Sequence, residues 1–247
     1  MPRALIRWGS APSPPKLTDV EHDIKGTVLP VLEIFLQDGE SIIAQSGELS
    51  WITDSIVLHP TAGGLGGALS RLAAGQSFLL SEYRAQGKEG MVAFAAKMPG
   101  NFIPLKLAES TYFSHRHGFV AGEKGVSVSV GFQKSFAAGL FGGDGYVLQK
   151  ISGTGQAWVE LSGEVIPYDL KEGDHLRVHP GHVGIFEGSI SFTLTTVPGV
   201  ANKLFGHDGL FLAKLSGPGR VWLQSMPLVN LAAALSDFLP KPRKPES

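Results

Sequence analysis

Leu140-Phe141-Gly142-Gly143-Asp144-Gly145-Tyr146-Val147-Leu148-Gln149-Lys150-Ile151-Ser152-Gly153-Thr154-Gly155-Gln156-Ala157-Trp158 decides how this chain folds. It returns as Leu204-Phe205-Gly206-His207-Asp208-Gly209-Leu210-Phe211-Leu212-Ala213-Lys214-Leu215-Ser216-Gly217-Pro218-Gly219-Arg220-Val221-Trp222, at an offset of 64 with no gap. A shared residue at so many places marks an internal repeat. Leu72 to Leu80 aligns with Leu140 to Leu148 at offset 68, with Gly90 matching Gly155. Pro30, Pro104 and Pro167 each open a short apolar–polar alternation that leads to a turn and a second alternating run. Three units follow from this: 26–98, 99–161 and 162–225. Residues 1–25 form a flexible lead-in, 226–239 a C-terminal helix and 240–247 a disordered tail.

The units read as β-structure. Ser127 to Phe132 and Ser189 to Leu194 alternate with period two, the mark of a strand with one buried face. Hairpin signals separate such runs at Asp38-Gly39, Glu172-Gly173-Asp174, Ser152 to Gly155 and Ser216 to Gly219. The single helix is read from Leu228, Leu231, Leu235 and Phe238, spaced along one helical face before Pro240. A short helix around Ala68 to Ala73 is a further expectation.

Composition removes whole classes of chemistry. The 247 residues include no cysteine, so disulfides, thiolate nucleophiles and cysteine-held metals are excluded. Lys+Arg 21 against Asp+Glu 22 gives a net charge of −1, which offers no general field for nucleic acid or anionic lipid. The 32 glycines, with charged residues at only 17%, suit many short strands joined by tight turns. Apolar runs fall short of the roughly 18 residues of a membrane helix. The N-terminus carries Arg3, Arg7 and Lys16 but no apolar signal core, and Pro12, Pro14 and Pro15 interrupt any amphipathic helix. A soluble, cytoplasmic protein is expected.

Candidate sites resolve mainly into turns. Gly63-Gly64-Leu65-Gly66-Gly67 lacks the Lys-Ser/Thr that a phosphate-binding P-loop needs, and related glycine-rich loops recur before Leu148 and Leu212. Gly143, Asp144 and Gly145, with their counterparts Asp208 and Gly209, are expected to make turns at strand entrances. His115 and His117 fall on one face of a strand, and His175, His179 and His182 cluster around Pro180-Gly181. Either group has the donors for a metal. Neither sits in a recognised motif, so both are expected to be surface or loop histidines, His115 and His175 at comparable places in their units. Trp158 and Trp222 correspond, with Ala93 at that place in the first unit; they read as core residues or as a stacking platform for bases. No catalytic residue, cofactor or metal is assigned.

The stretches Gly63 to Arg71, Leu140 to Gly145, Ile151 to Gly155, Asp174 to Phe186 and Ser216 to Leu223 resemble the altered-inheritance-of-mitochondria (AIM) 24-type family over about 24–226. The resemblance implies a fold like the tryptophan RNA-binding attenuation protein (TRAP): an all-β chain of three TRAP-like β-sandwich repeats in a pseudo-threefold arrangement, plus a short C-terminal α-helix. It carries over no catalytic residue. The expectation is a non-enzymatic structural or interaction protein that self-associates into a homo-oligomer and meets a protein or membrane-associated partner. A ligand- or RNA-binding module using grooves between repeats is the alternative. A histidine-lined enzyme site has the least to support it.

Overall fold

The computed structural model describes residues 20–60, 79–134, 145–196, 211–236 and 238. The described residues form antiparallel strands and, after the last of them, one α-helix. A first strand, β1 (His22–Lys25), lies on the margin of the expected lead-in and pairs with β2. Six strands follow: β2 (Val31–Leu36), β3 (Ser41–Gln45), β4 (Trp51–Ile52), β5 (Ile56–Pro60), β6 (Leu80–Ala85) and β7 (Gly90–Ala95). Next come β8 (Gly100–Lys106), β9 (Tyr112–His115), β10 (Phe119–Glu123), β11 (Val126–Lys134), β12 (Tyr146–Gly153) and β13 (Gln156–Ser162). The last six are β14 (Val165–Leu170), β15 (His175–Val178), β16 (Val183–Glu187), β17 (Ser191–Thr196), β18 (Phe211–Ser216) and β19 (Gly219–Gln224). Helix α1 covers Leu228–Ser236, inside the expected span of 226–239. Among the described residues no helix is long and apolar enough to cross a membrane.

One pairing scheme runs through each set of six. The first strand pairs with the sixth, in β2·β7, β8·β13 and β14·β19. The second pairs with the fifth, in β3·β6, β9·β12 and β15·β18. The third joins the sixth, and the fourth joins the fifth. Registers repeat as well as partners. Pro104 lies opposite Trp158, and Pro167 opposite Trp222. A bulge between Phe119 and Ala121 recurs between Val183 and Ile185.

The sheets cross from one set to the next. The third strand of each later set pairs with the second strand of the set before it: β10 with β3, and β16 with β9. This creates two six-stranded sheets, β5-β6-β3-β10-β13-β8 and β11-β12-β9-β16-β19-β14. The remaining sheets are β1-β2-β7-β4 and β15-β18-β17, with β4 and β15 at their ends.

Register corrects one expectation. Ala93, the counterpart of Trp158, lies opposite Glu33, so Glu33 and not Pro30 corresponds to Pro104. Proline removes a ladder donor and is tolerated on edge strands. β8 and β14 are edges, whereas β2 is flanked by both β1 and β7.

Apolar faces meet in three clusters. The first joins Leu32, Ile34, Ile42 and Phe94 to Phe102, Val120, Ala121 and Trp158 of the second set. The second is centred on Leu105, Phe119, Ile151, Val159 and Ile185, and the third on Leu148, Val183, Phe186 and Leu215. In the Ser152–Gly155 hairpin both glycines carry positive φ, 106° and 92°, a region that side chains strain. Trp158 is fully buried, while Trp222 at the matching register is only partly covered. Trp158→Ala should therefore cost about 3–5 kcal/mol in denaturant unfolding. Trp222→Ala should cost clearly less, measured the same way.

Candidate functional site

The second strands of the three sets end on Gln45, His115 and, one residue beyond β15, His179. Gln45 lies opposite Leu80, and His115 opposite Leu148. Val178 lies opposite Ala213, so the register carries His115 onto His179, 64 residues later. The expected match of His115 with His175 is thereby corrected. His175 opens β15, and its Nδ1 lies 2.9 Å from the Ser216 hydroxyl.

His115 also departs from the expected surface or loop role. Its Nε2 donates to the Glu160 carbonyl oxygen at 3.0 Å, which makes Nδ1 the acceptor. Part of its surface remains open, but the imidazole lies deep enough that burial pushes its pKa down from 6.5 to about 4. β9 ends at His115, so His117 stands in the following turn and not on the strand. Burial and then the Arg116 charge hold His117 below its usual range. Both imidazoles line one cleft despite the strand ending between them.

Two equivalent polar side chains stitch one set to the next. Glu160 Oε1 accepts from the Lys97 backbone N–H at 2.8 Å. Gln224 Oε1, 64 residues on, accepts from the Ser162 N–H at 3.1 Å. Both side chains are buried. Burial raises the Glu160 pKa, against the Lys97 N–H and charge, which lower it. The Lys97 ammonium forms an ion pair with the buried Glu48 carboxylate.

The third set closes the cleft from above. A 3-10 turn at Pro180–His182 follows β15. The Tyr146 hydroxyl donates to the Pro180 carbonyl at 3.2 Å, and burial pushes that phenol well above its usual range. Gln224 Nε2 donates to the Gly181 carbonyl at 3.1 Å. A Cβ on Gly181 would stand 3.1 Å from a Val229 methyl, so the missing side chain lets α1 settle here. His182 Nδ1 donates to the Gln224 carbonyl at 2.8 Å, and Asn230 Nδ2 donates to His182 Nε2 at 3.2 Å. The resulting cleft encloses about 330 Å³, walled by Val147, Pro180, Pro227, Leu228, Val229 and Ala232 and edged by His115, Arg116 and His117. An adjoining hollow of about 180 Å³ reaches Lys97 and Glu160 and shares His115, His117, Ser162 and Leu228 with it.

Other sequence candidates fall elsewhere. His179 and His182 stack edge to face at 5.9 Å, with His175 tied to Ser216. Among the described residues no group of three or more His, Asp or Glu side chains is placed to hold a metal ion. Gly145 enters β12 with φ 73°, as a turn glycine does. Gly143, Asp144, Asp208 and Gly209 lie outside the described residues, as do Gly63 to Arg71 and the short helix expected around Ala68. Trp158 offers no stacking face for a base, being fully buried, with the His22 ring in a T-shaped contact at 5.3 Å. Arg220 lies over Trp222, yet its guanidinium is held by Asp169 through two bonds of 2.5 and 2.9 Å.

Comparison with known proteins gives a family and a likeness of fold. The model of the mitochondrial biogenesis AIM24 family matches residues 22–226. The chain belongs to the AIM24 family. This AIM24 chain is 24% identical over 220 residues to an uncharacterised protein of Streptococcus pyogenes serotype M6, covering 85% of this chain and 87% of that one. A crystal structure of a Streptococcus pyogenes protein matches with a TM-score of 0.74 at 21% identity, covering 89% of this chain and 100% of that one, a likeness of fold.

Sequence reading missed Glu160, Lys97 and Tyr146. A signal existed for Glu160: a polar residue in the otherwise apolar Ala157 to Leu161 run, answered by Gln224 at the repeat offset. The His115 shift sets a pH dependence. The unfolded imidazole takes a proton near 6.5 and the folded one near 4. The folded state then binds fewer protons between those values, so this contribution is intact above pH 6.5 and lost as pH falls towards 4. Chemical denaturation from pH 8 to 4.5 should show a shallower fall for His115→Gln than for the native chain. The His115 ring should titrate near pH 4 by NMR.

Proposed function

We propose that this AIM24 chain is a non-enzymatic interaction protein, and that the cleft beneath α1 is its binding site for a small, mainly apolar ligand. One observation carries the reading: His115 in the cleft, Glu160 and Lys97 beside it, and Tyr146 in its wall are already engaged in holding the fold. His115 is committed to the Glu160 carbonyl, Glu160 to the Lys97 amide, Lys97 to Glu48, and Tyr146 to Pro180. A general acid or base must reach substrate with the right proton at working pH. Here the imidazole is held neutral and the phenol is far from ionising at neutral pH. An apolar wall from α1 and two prolines remains, with Arg116, His117 and Ser162 among the polar residues that line it. Preformed apolar concavity with a few polar groups is the usual form of a small-ligand site. The ligand class that fits is compact and mainly apolar, with one hydrogen-bonding end directed at His117 or Ser162.

Indole and 1-octanol serve as probes. Each should shift NMR resonances of Leu228, Val229 and His117, with Kd on the order of 0.1–1 mM for so few atoms. Ala232→Trp, at an exposed cleft-lining position of α1, should fill the space and weaken binding at least about tenfold. Shifts spread over the molecule, or binding indifferent to Ala232→Trp, count against the site.

A further inference from the structure

The cleft beneath α1 combines an apolar side with a cation. Among the described residues that line it there is no Asp or Glu, and Arg116 is the one fixed charge. Arg116 stands partly buried just beyond β9. A guanidinium presents a planar fork of N–H donors, so a contact with the protein need not use the whole fork. His117 follows it, and its imidazole feels two cations. After burial, the Arg116 and Lys97 charges both hold its pKa down. At neutral pH the ring is then uncharged and keeps one N–H to donate. His117 and Ser162 line both the cleft and the adjoining hollow, so polar partners gather where the two spaces meet.

The acids of this region are already engaged. Glu48 forms the ion pair with Lys97. Glu160 accepts from the Lys97 amide, and burial works against its charge. Neither lines the cleft itself. An anion set against Arg116 therefore meets no acid in the cleft lining. A ligand that covers Arg116 strips water from it, and a carboxylate returns that cost where an alcohol returns less.

The other side of the cleft fixes the rest of the ligand. Pro180, Pro227, Leu228, Val229 and Ala232 carry no polar side chain. A volume of about 330 Å³ lies at the small end of ligand sites. We propose that the cleft takes a free straight-chain monocarboxylate of about eight carbons, its carboxylate on Arg116 and His117 and its tail against Leu228, Val229 and Ala232. This rests on the cleft being a ligand site, as proposed above, and adds the charge and shape of what enters it.

Octanoate, 1-octanol and octylamine share a chain and differ at one end, which makes them the probes. Affinities are read from the NMR shifts of Leu228 and Val229. Octanoate should bind the native chain at least about tenfold more tightly than octylamine. Arg116→Gln should lower the affinity ratio of octanoate to octanol at least about tenfold. From hexanoate to octanoate, affinity should rise about threefold for each methylene. Octanol bound in the cleft, with octanoate no tighter than octylamine, overturns the carboxylate and leaves the apolar site standing. If neither octanol nor octanoate binds, the site and its ligand fall together. A ratio unmoved in folded Arg116→Gln overturns the role of Arg116, and an affinity flat with chain length overturns the placing of the tail. Circular dichroism checks the fold of the variant, and the comparison of the three probes on the native chain stands without any substitution.

Discussion

A backbone amide at a sheet edge needs a partner, and no set of six strands in this chain meets that need alone. Pairing first with sixth and second with fifth leaves the second and third strands each with a bare side. The chain answers by lending the third strand of one set to the second strand of the set before it, at β3·β10 and β9·β16. Core composition follows from this loan. Trp158 and Val120 belong by sequence to the second set, yet they pack with Leu32, Ile34 and Phe94 of the first. The sets are therefore not beads on a string, because each contributes side chains to its neighbour's interior.

Polar seams run along the same borders. Gln149 Oε1 accepts from the Phe119 N–H at 2.9 Å, while its Nε2 reaches the Gln45 side-chain oxygen at 3.3 Å across the first junction. Glu160 and Gln224 each cap a backbone amide in the preceding segment. Such groups add little net stability beside the apolar clusters, since each exchanges water for protein as partner. Shifting the register would leave them buried and unpaired, which is far more costly. They hold the alignment that the apolar contacts, being non-directional, do not fix. The cleft is a by-product of the same seam: Ser162 and Gln224, which bind the segments together, line it, and Glu160 lines the adjoining hollow.

The all-β class and several strands and hairpins were legible in the sequence because runs such as Ser127 to Phe132 alternate with period two, and turns such as Ser152 to Gly155 need glycine where φ turns positive. What was not legible depended on which strands lie at an edge. Pro104 and Pro167 suggested Pro30 as their counterpart, but the added β1 makes that position interior and excludes proline from it. His115 and His175 looked alike by distance from a turn, whereas only ladder register shows that His115 answers to His179. Trp158 and Trp222 share a register and differ in burial, because a neighbouring set covers the first and leaves the second partly open. The site residues were hidden for a similar reason. Lys97, Glu160 and Tyr146 come from distant stretches that only the crossing sheets bring together.

Strand lending also orders events as the chain leaves the ribosome. β2 has no β7 to pair with until about residue 95 has emerged, and the bare side of β3 waits for β10, beyond residue 119. Local helices or two-residue hairpins would settle sooner; pairings this distant pay their loop-closure entropy first and form slowly. The N-terminal third therefore spends part of its synthesis with an apolar edge uncovered, and the growing chain itself supplies the cover. Slowing translation just after residue 95 would prolong that interval, whereas the same pause after β10 would not.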